Sequence, residues 1–425
     1  MNKTGSKSDR SKYEEQGFIL VVGVIVMAFL LLLALPFLFQ LSAEYRLTNK
    51  TYKSSAALSL AEAGVERAIW ELNYGDISSW SGDSSLRTMT ISSFQAAEGN
   101  VIGDVEIKVE EPDADDPVVE STGRVSYVGA QEVGRTVRSV LGGYPPFKFA
   151  AFGDDGIMID QDVEIDSYDS RDGAYGNPGN AGSEGDIGTN SVVDSAIYID
   201  QNADISGDAV SGYESDPETV ITTDPNANID GEKRALPVPI EFPQIIPPSN
   251  LTLMPDYSMS GTDSIFFSGQ YGSFTMENNS VVTIEGDVTL YITGDFYMDQ
   301  NSRLDIADGA SLTIIMGSGS FEMDQSSTMN NLSQDPTKFV LFGTESFTGD
   351  IYIDQSSEFY GAIYAPNAFV ELDQGNGFYG AIIAKEILFD QTTVLHYDKA
   401  LEDLEILPSM GSLYVVKSWQ VKVSN

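Results

Sequence analysis

At 425 residues, with a formal net charge of −41, no cysteine and one histidine, the chain can hold more than one hydrophobic core and excludes disulfide staples and cysteine-based zinc sites. The charge is uneven: residues 1–150 carry 14 Lys+Arg against 19 Asp+Glu, and residues 151–425 carry 9 against 45. So acidic a second part excludes nucleic acid as its partner and repels anionic lipid and polysaccharide, while 42% hydrophobic and 10% aromatic residues exclude a solvated, disordered tail.

Residues 1–17 form a short leader holding Lys3, Lys7, Arg10 and Lys12. Phe18 to Phe39 is then one uncharged apolar run of 22 residues, against the roughly 20 needed to cross a bilayer core. A transmembrane helix follows, and the basic leader orients it with the N-terminus in the cytoplasm and the rest outside. The sequence at the end of the run and beyond, LPFLFQLSAEY, stays helical and lacks the cleavage pattern of a secretory signal. No Gly or Pro interrupts Phe37 to Ala63, and Leu58, Ala61, Val65, Ala68, Ile69 and Leu72 recur at three- and four-residue steps. The reading is one long helix over 18–73, kinked at Pro36 and stopped by Asn73-Tyr74-Gly75.

This order of basic leader, Gly17-Phe18, apolar helix and soluble helix resembles a type IV prepilin, and the resemblance implies processing between Gly17 and Phe18 by a prepilin peptidase. Ala61-Glu62-Ala63-Gly64-Val65-Glu66-Arg67-Ala68 resembles the helix end of PilX-type minor pilins and pilin-like proteins. The resemblance covers residues 10–73 and fades toward Tyr144. Val22 stands where major pilins carry a glutamate, a departure shared with PilX-type and pseudopilin tip subunits, and this implies a minor or priming role. A carboxylate in the apolar stretch needs a partner such as a preceding subunit's N-terminal amine, and a first subunit has no predecessor. The implied partners are other pilin or minor-pilin subunits through the helix, the peptidase and the inner membrane; the implied location is a single-pass inner-membrane protein, then a filament or the cell surface.

Residues 74–144 turn to alternation. Val101–Val109, Val125–Val128 and Val133–Leu141 read as strands of a half-buried antiparallel sheet on the helix, a small α+β head. The acidic stretch from Glu110 to Asp116 reads as a solvated loop without EF-hand spacing. Gly142 to Pro146 reads as a linker.

Residues 150–400 are organised by a recurring apolar-Asp-Gln triplet. It falls at Asp160-Gln161, Asp200-Gln201, Asp299-Gln300, Asp324-Gln325, Asp354-Gln355, Asp373-Gln374 and Asp390-Gln391, with Glu277-Asn278 as a degenerate copy. From Glu277 onward the acids are 22, 25, 30, 19 and 17 residues apart. Phe359-Tyr360-Gly361-Ala362-Ile363 recurs as Phe378-Tyr379-Gly380-Ala381-Ile382 with the same 19-residue step. Short β runs between Gly, Asn and Ser turns at this spacing predict a parallel β-helix, or β-solenoid, with loop excursions at Arg171–Gly188 and Ser215–Ser249.

Two readings attach to the triplets. In the structural one, the Gln side chains form an amide ladder between coils and the Asp side chains satisfy turn N–H groups. In the functional one, cations such as calcium sit between successive Asp carboxylates; no other cofactor is expected. Arg171, Arg234 and Arg303 are the only arginines after residue 150 and His396 is the only histidine, too few cations and bases for a polyuronate lyase, so the chain reads as non-enzymatic. Phe296, Tyr297, Phe359, Tyr360, Phe378 and Tyr379 read as packing. Residues 401–425 hold a closing strand near Leu413–Val421 that caps an edge or returns to the head. The expectation is a mainly β protein: a minor-pilin-like subunit priming assembly or presenting an adhesive solenoid to a surface or glycan ligand. The alternatives are a membrane-anchored surface β-helix protein outside any filament, and a glycan-active β-helix enzyme.

Overall fold

A computed structural model describes residues 8–95, 102–126 and 132–422, with side chains of the first helix described from Val21 onward. Residues 1–7 of the leader, Val101, and residues 127 and 128 of the expected strands lie outside the described residues. The chain forms two compact units, residues 1–141 with 416–425, and residues 142–415.

In the first unit, helix α1 runs from Ser8 to Tyr74 without a break at Pro36, so it begins ten residues before the expected start at Phe18. It ends where Gly75 N–H donates to the Glu71 carbonyl at 3.1 Å and Asp76 N–H donates to the Glu71 carboxylate at 3.2 Å. The two halves of α1 differ. From Val21 to Leu41 the large apolar side chains are open, with Leu32 70% and Phe39 72% exposed. Further along, Ala57, Leu60, Ala61, Val65 and Ala68 are buried at the three- and four-residue steps of one helix face. The central stripe is narrower and made of smaller residues than the sequence periodicity suggested, since Leu58, Ile69 and Leu72 are only half-buried.

That face packs on strands Ile102–Glu110 and Val118–Ser126. Close approach is the reason for the small residues: a Cβ on Gly123 would lie 2.2 Å from the Ala57 carbonyl oxygen. The sheet orders strands Ser81–Gly82, Leu86–Gln95, Ile102–Glu110, Val118–Ser126 and Val133–Gly142 as an antiparallel meander, with Val415–Lys422 added beside the last. Leu86–Gln95 escapes a period-two reading because its register shifts between Ile91 and Phe94, around Ser93 at φ 60°.

The second unit is one sheet of 25 strands. The chain lays down three short strands in turn, and each pairs in parallel with the strand three further on. The first ladder joins Tyr257–Met259, Phe274–Met276, Phe296–Met298, Phe321–Met323 and Asp350–Ile353. It continues through the C-terminal parts of Glu358–Leu372 and Gly377–Phe389 to Ala151–Ile159, Ile197–Ile199 and Ile221–Thr223. A second ladder runs from Thr262–Ile265 through Val281–Ile284, Val394–Asp398 and Glu164–Tyr168 to Asn228–Ile229. A third runs from Gly269–Tyr271 through Asp287–Ile292 to Ile187–Gly188 and Lys233–Ala235.

Order in space therefore differs from order in sequence. The chain enters the stack in its interior at Ala151, winds outward to Ala235, crosses back, and restarts at the opposite end with Tyr257. It then winds inward until Gly377–Phe389 pairs with Ala151–Ile159 and Val394–Asp398 pairs with Glu164–Tyr168. The expected excursion at Ser215–Ser249 is thus corrected: Ile221–Ala235 supplies three ladder strands, and only residues 236–256 form the crossing. Six prolines in the crossing, Pro237, Pro239, Pro243, Pro247, Pro248 and Pro255, leave fewer N–H groups to satisfy outside a ladder. It is tied down where Tyr364 donates its hydroxyl to the Pro243 carbonyl at 2.8 Å and where Asn190 exchanges two hydrogen bonds with the Ile240 backbone. The Arg171–Gly188 stretch leaves the ladders between Tyr168 and Ile187.

Inward side chains stack level upon level. Tyr257, Phe274, Phe296 and Phe321 form one column with ring centroids 4.2, 5.2 and 4.6 Å apart. Each buried ring contributes about 1.5–3 kcal/mol from burial and about 0.5–1.5 kcal/mol from ring pairing. The two Phe-Tyr-Gly-Ala-Ile copies pair residue for residue. Gly380 has φ 151°, and a Cβ there would meet the Gly361 carbonyl, while one on Gly361 would meet Phe339, which explains the glycine in both copies.

Candidate functional site

The Asp-Gln pairs all sit at the corner that follows the first ladder. Each Asp N–H extends that ladder by one bond of 2.8–2.9 Å to the preceding level, as from Asp324 to the Met298 carbonyl and from Asp160 to the Phe389 carbonyl. Each Asp Oδ1 accepts the N–H of its own Gln at 2.6–2.8 Å: Asp160, Asp200, Asp299, Asp324, Asp354, Asp373 and Asp390 all do this. The next residue has positive φ, from 57° at Ser356 to 70° at Gly375, as the third position of a type II turn requires. Its N–H donates to the Gln carbonyl of the next level, as from Ser326 to Gln355 at 3.0 Å and from Thr392 to Gln161 at 3.1 Å.

Backbone groups carry most of this level-to-level bonding. Between Gln side chains, the described contact is Gln325 Nε2 donating to Gln355 Oε1 at 3.3 Å. Gln201, Gln300, Gln374 and Gln391 are exposed, while Gln161 is half-buried. Two further corners belong to the row. Glu277 follows Met276 in the same register, and Asp224 N–H extends the ladder to the Ile199 carbonyl. The Asp224 copy is hidden in sequence because Pro225 replaces Gln, a residue the second turn position accepts, and Asn226 supplies the positive φ of 72°.

In space the file runs Asp299, Asp324, Asp354, Asp373, Asp390, Asp160, Asp200, so Asp160 follows Asp390. Tyr297 and Tyr352 donate their hydroxyls to Asp324 and Asp373, at 3.1 and 3.0 Å. Burial first, then the facing carboxylates of Asp373 and Asp324, raises the pKa of Asp354 against the lowering effect of Gln355 N–H. Burial and the carboxylates of Asp373 and Asp160 likewise raise Asp390. At Asp373 burial pulls upward, yet hydrogen bonds from Gln374 N–H and Tyr352, and those shared with Asp390, leave it below its ordinary value. Among the described residues no group of three or more His, Cys, Asp or Glu gathers to hold a metal ion. Calcium takes about six to eight oxygens, so a cation between two of these carboxylates draws its other ligands largely from water.

The single histidine is enclosed. His396 Nδ1 lies 2.5 Å from Asp166 Oδ1, Tyr175 donates its hydroxyl to Asp166 Oδ2 at 2.7 Å, and the Tyr175 ring stacks on the imidazole at 3.6 Å. Burial, then the bond to Asp166, pushes the Tyr175 phenol upward. Both His396 and Asp166 are buried, so the trio locks the 169–186 excursion onto the second ladder. Gly17 and Phe18 lie within α1, where side chains are not described.

A family model described as a domain of unknown function (DUF7305) matches residues 256–404, roughly a third of the chain. No curated protein matches. Among solved structures, a glycosylated ice-binding protein from an Arctic yeast is similar at 14% identity and TM-score 0.29, over 59% of this chain and 90% of that one. An ice-binding protein from an Antarctic bacterium of the Flavobacteriaceae gives 10% identity and TM-score 0.22, over 58% and 80%. The competence-associated pilin ComZ from Thermus thermophilus gives 9% identity and TM-score 0.20, over 88% and 97%. Likenesses this weak carry no weight for what the chain does.

Proposed function

We propose that the chain is a membrane-anchored, minor-pilin-like subunit that carries a non-catalytic β-solenoid outside the cytoplasm, for display or for priming a filament. The observation that supports it is the divided helix α1. Its apolar half from Val21 to Leu41 is uncovered and holds an 18-residue stretch of mean hydropathy 3.0, which calls for lipid or other apolar helices. Its other half packs by small residues along an antiparallel sheet, the arrangement the prepilin resemblance calls for. The three parallel ladders of the second unit, stepping three strands per level, support the solenoid reading. In this reading the Asp-Gln file is an outward display row, open to a surface or glycan ligand and to calcium between carboxylates.

The test is the intact mass of the membrane-extracted protein, made with and without a prepilin peptidase, beside a Gly17→Ala variant. A chain beginning at Phe18 only when the peptidase is present, and absent from the variant, is the expected result. An unprocessed chain throughout favours the second reading, a membrane-anchored surface protein outside any filament, which the open apolar helix fits equally well.

A further inference from the structure

The two ends of the ladder stack are chemically unlike. At one end, strands Tyr257–Met259 and Thr262–Ile265 pair inward with Phe274–Met276 and Val281–Ile284 and, among the described residues, carry no strand on their outer side. An unpaired edge offers a row of free backbone donors and acceptors. The inner aromatic column stops here at Tyr257, which is only half-buried over Phe274. Beside it stand Phe266 and Phe267, 52% and 77% exposed, and Leu253 at 75%. The opposite end, strands Ile221–Thr223, Asn228–Ile229 and Lys233–Ala235, has no exposed large apolar side chain on those strands and carries Lys233 and Arg234.

Charge separates the ends further. No Lys, Arg or His occurs from Ala235 to Ser302, while Glu241, Asp256, Asp263, Glu277, Glu285, Asp287, Asp295 and Asp299 all do. The Tyr257 end therefore combines open strand edges, protruding aromatic rings and the carboxylates of Asp256, Asp263, Glu277 and Glu285 on its first two levels, the first cation of that ladder being Arg303 one level further in.

We infer that this end is a docking surface for an extended cationic segment of a partner protein, which adds a strand to the Tyr257–Ile265 edge, rests apolar side chains on Phe266 and Phe267, and meets the surrounding carboxylates with lysine or arginine. A second copy of the chain fits less well. Its ladder region, residues 142–415, carries 45 acidic against 8 basic residues, so two copies meeting here repel.

The experiment uses the full chain in zwitterionic nanodiscs, with a fluorescent octapeptide of alternating lysine and valine as probe. The same octapeptide with glutamate for lysine, and empty discs, are controls. Anisotropy is expected to show salt-sensitive binding of the lysine peptide alone, weakened about tenfold by Phe267→Ser or by Glu285→Lys. Both positions are exposed, so folding is not at stake, and an unchanged thermal transition checks this. Bound peptide is expected to slow amide exchange at Tyr257–Ile265 and not at Ile221–Ala235. Equal binding of both peptides, protection at the wrong end, or self-association of the chain that Phe267→Ser abolishes would each overturn the proposal, the last by making a second copy the occupant.

Discussion

The two units dispose of apolar surface in opposite ways. Helix α1 leaves Val21–Leu41 open to whatever surrounds it, because one helix has no inside. The ladder region buries its own apolar columns, and Phe274, Phe296 and Phe321 stack fully buried within it. Charge follows the same division. Acidic residues crowd the region that buries its own apolar side chains and are absent from the apolar run Phe18–Phe39. One region is stable by internal repetition; the other needs surroundings.

The sharpest way to break that contrast is to remove one rung. Phe296→Ala deletes a fully buried ring with stacked neighbours on both sides and is expected to cost the ladder region about 3–5 kcal/mol, read as a lower midpoint in denaturant by circular dichroism. Leu32→Ala, in the open half of α1, leaves that transition where it was. Equal effects would sink the idea that burial is internal to one region and external to the other.

A smaller effect is expected where α1 meets its own sheet. A Cβ on Gly64 would lie 2.1 Å from Ser121 Oγ, so Gly64→Leu overpacks the contact and costs about 1–3 kcal/mol. Amide exchange in Ile102–Glu110 should quicken, while exchange in the ladder strands stays unchanged. Faster exchange in both regions would show that the units do not behave as separate cores.

The smallest effect lies in the Asp file. The pKa values of Asp354 and Asp390 are raised on folding, so the stability tied to their protons is present below the ordinary carboxylate pKa and is lost as pH rises through the raised value. Asp390→Asn keeps an oxygen for the Gln391 N–H and removes a charge from between Asp373 and Asp160. It is expected to raise the thermal midpoint slightly at pH 7, by well under about 1 kcal/mol for so wet a site, and the gain should vanish near pH 3. A variant that destabilises at pH 7 would instead favour a bound cation that needs this carboxylate.

What could be read in advance followed from locality. The Asp-Gln turn is a four-residue device whose Oδ1 bond and positive φ depend on adjacent residues, so each copy announces itself. The copy at Asp224 was hidden by Pro225, which keeps the turn geometry while altering the pattern, and Leu86–Gln95 was hidden by a bulge that breaks its alternation. The His396–Asp166–Tyr175 trio joins residues 230 positions apart, and no local signal foretells it.

The amino-acid sequence by itself determined the apolar helix, its stop within Asn73-Tyr74-Gly75, the matched Phe-Tyr-Gly-Ala-Ile levels and the corners where strands turn, because each is decided by neighbours a few residues away. Tertiary structure alone decided that Ala151–Ile159 stacks on Gly377–Phe389, that residues 236–256 cross between the ends, and that Val415–Lys422 returns to the sheet beside α1. A parallel strand edge offers the same backbone donors and acceptors to any strand of matching length. Which strand arrives is settled by how the whole chain fills its core, and that information is spread across hundreds of residues.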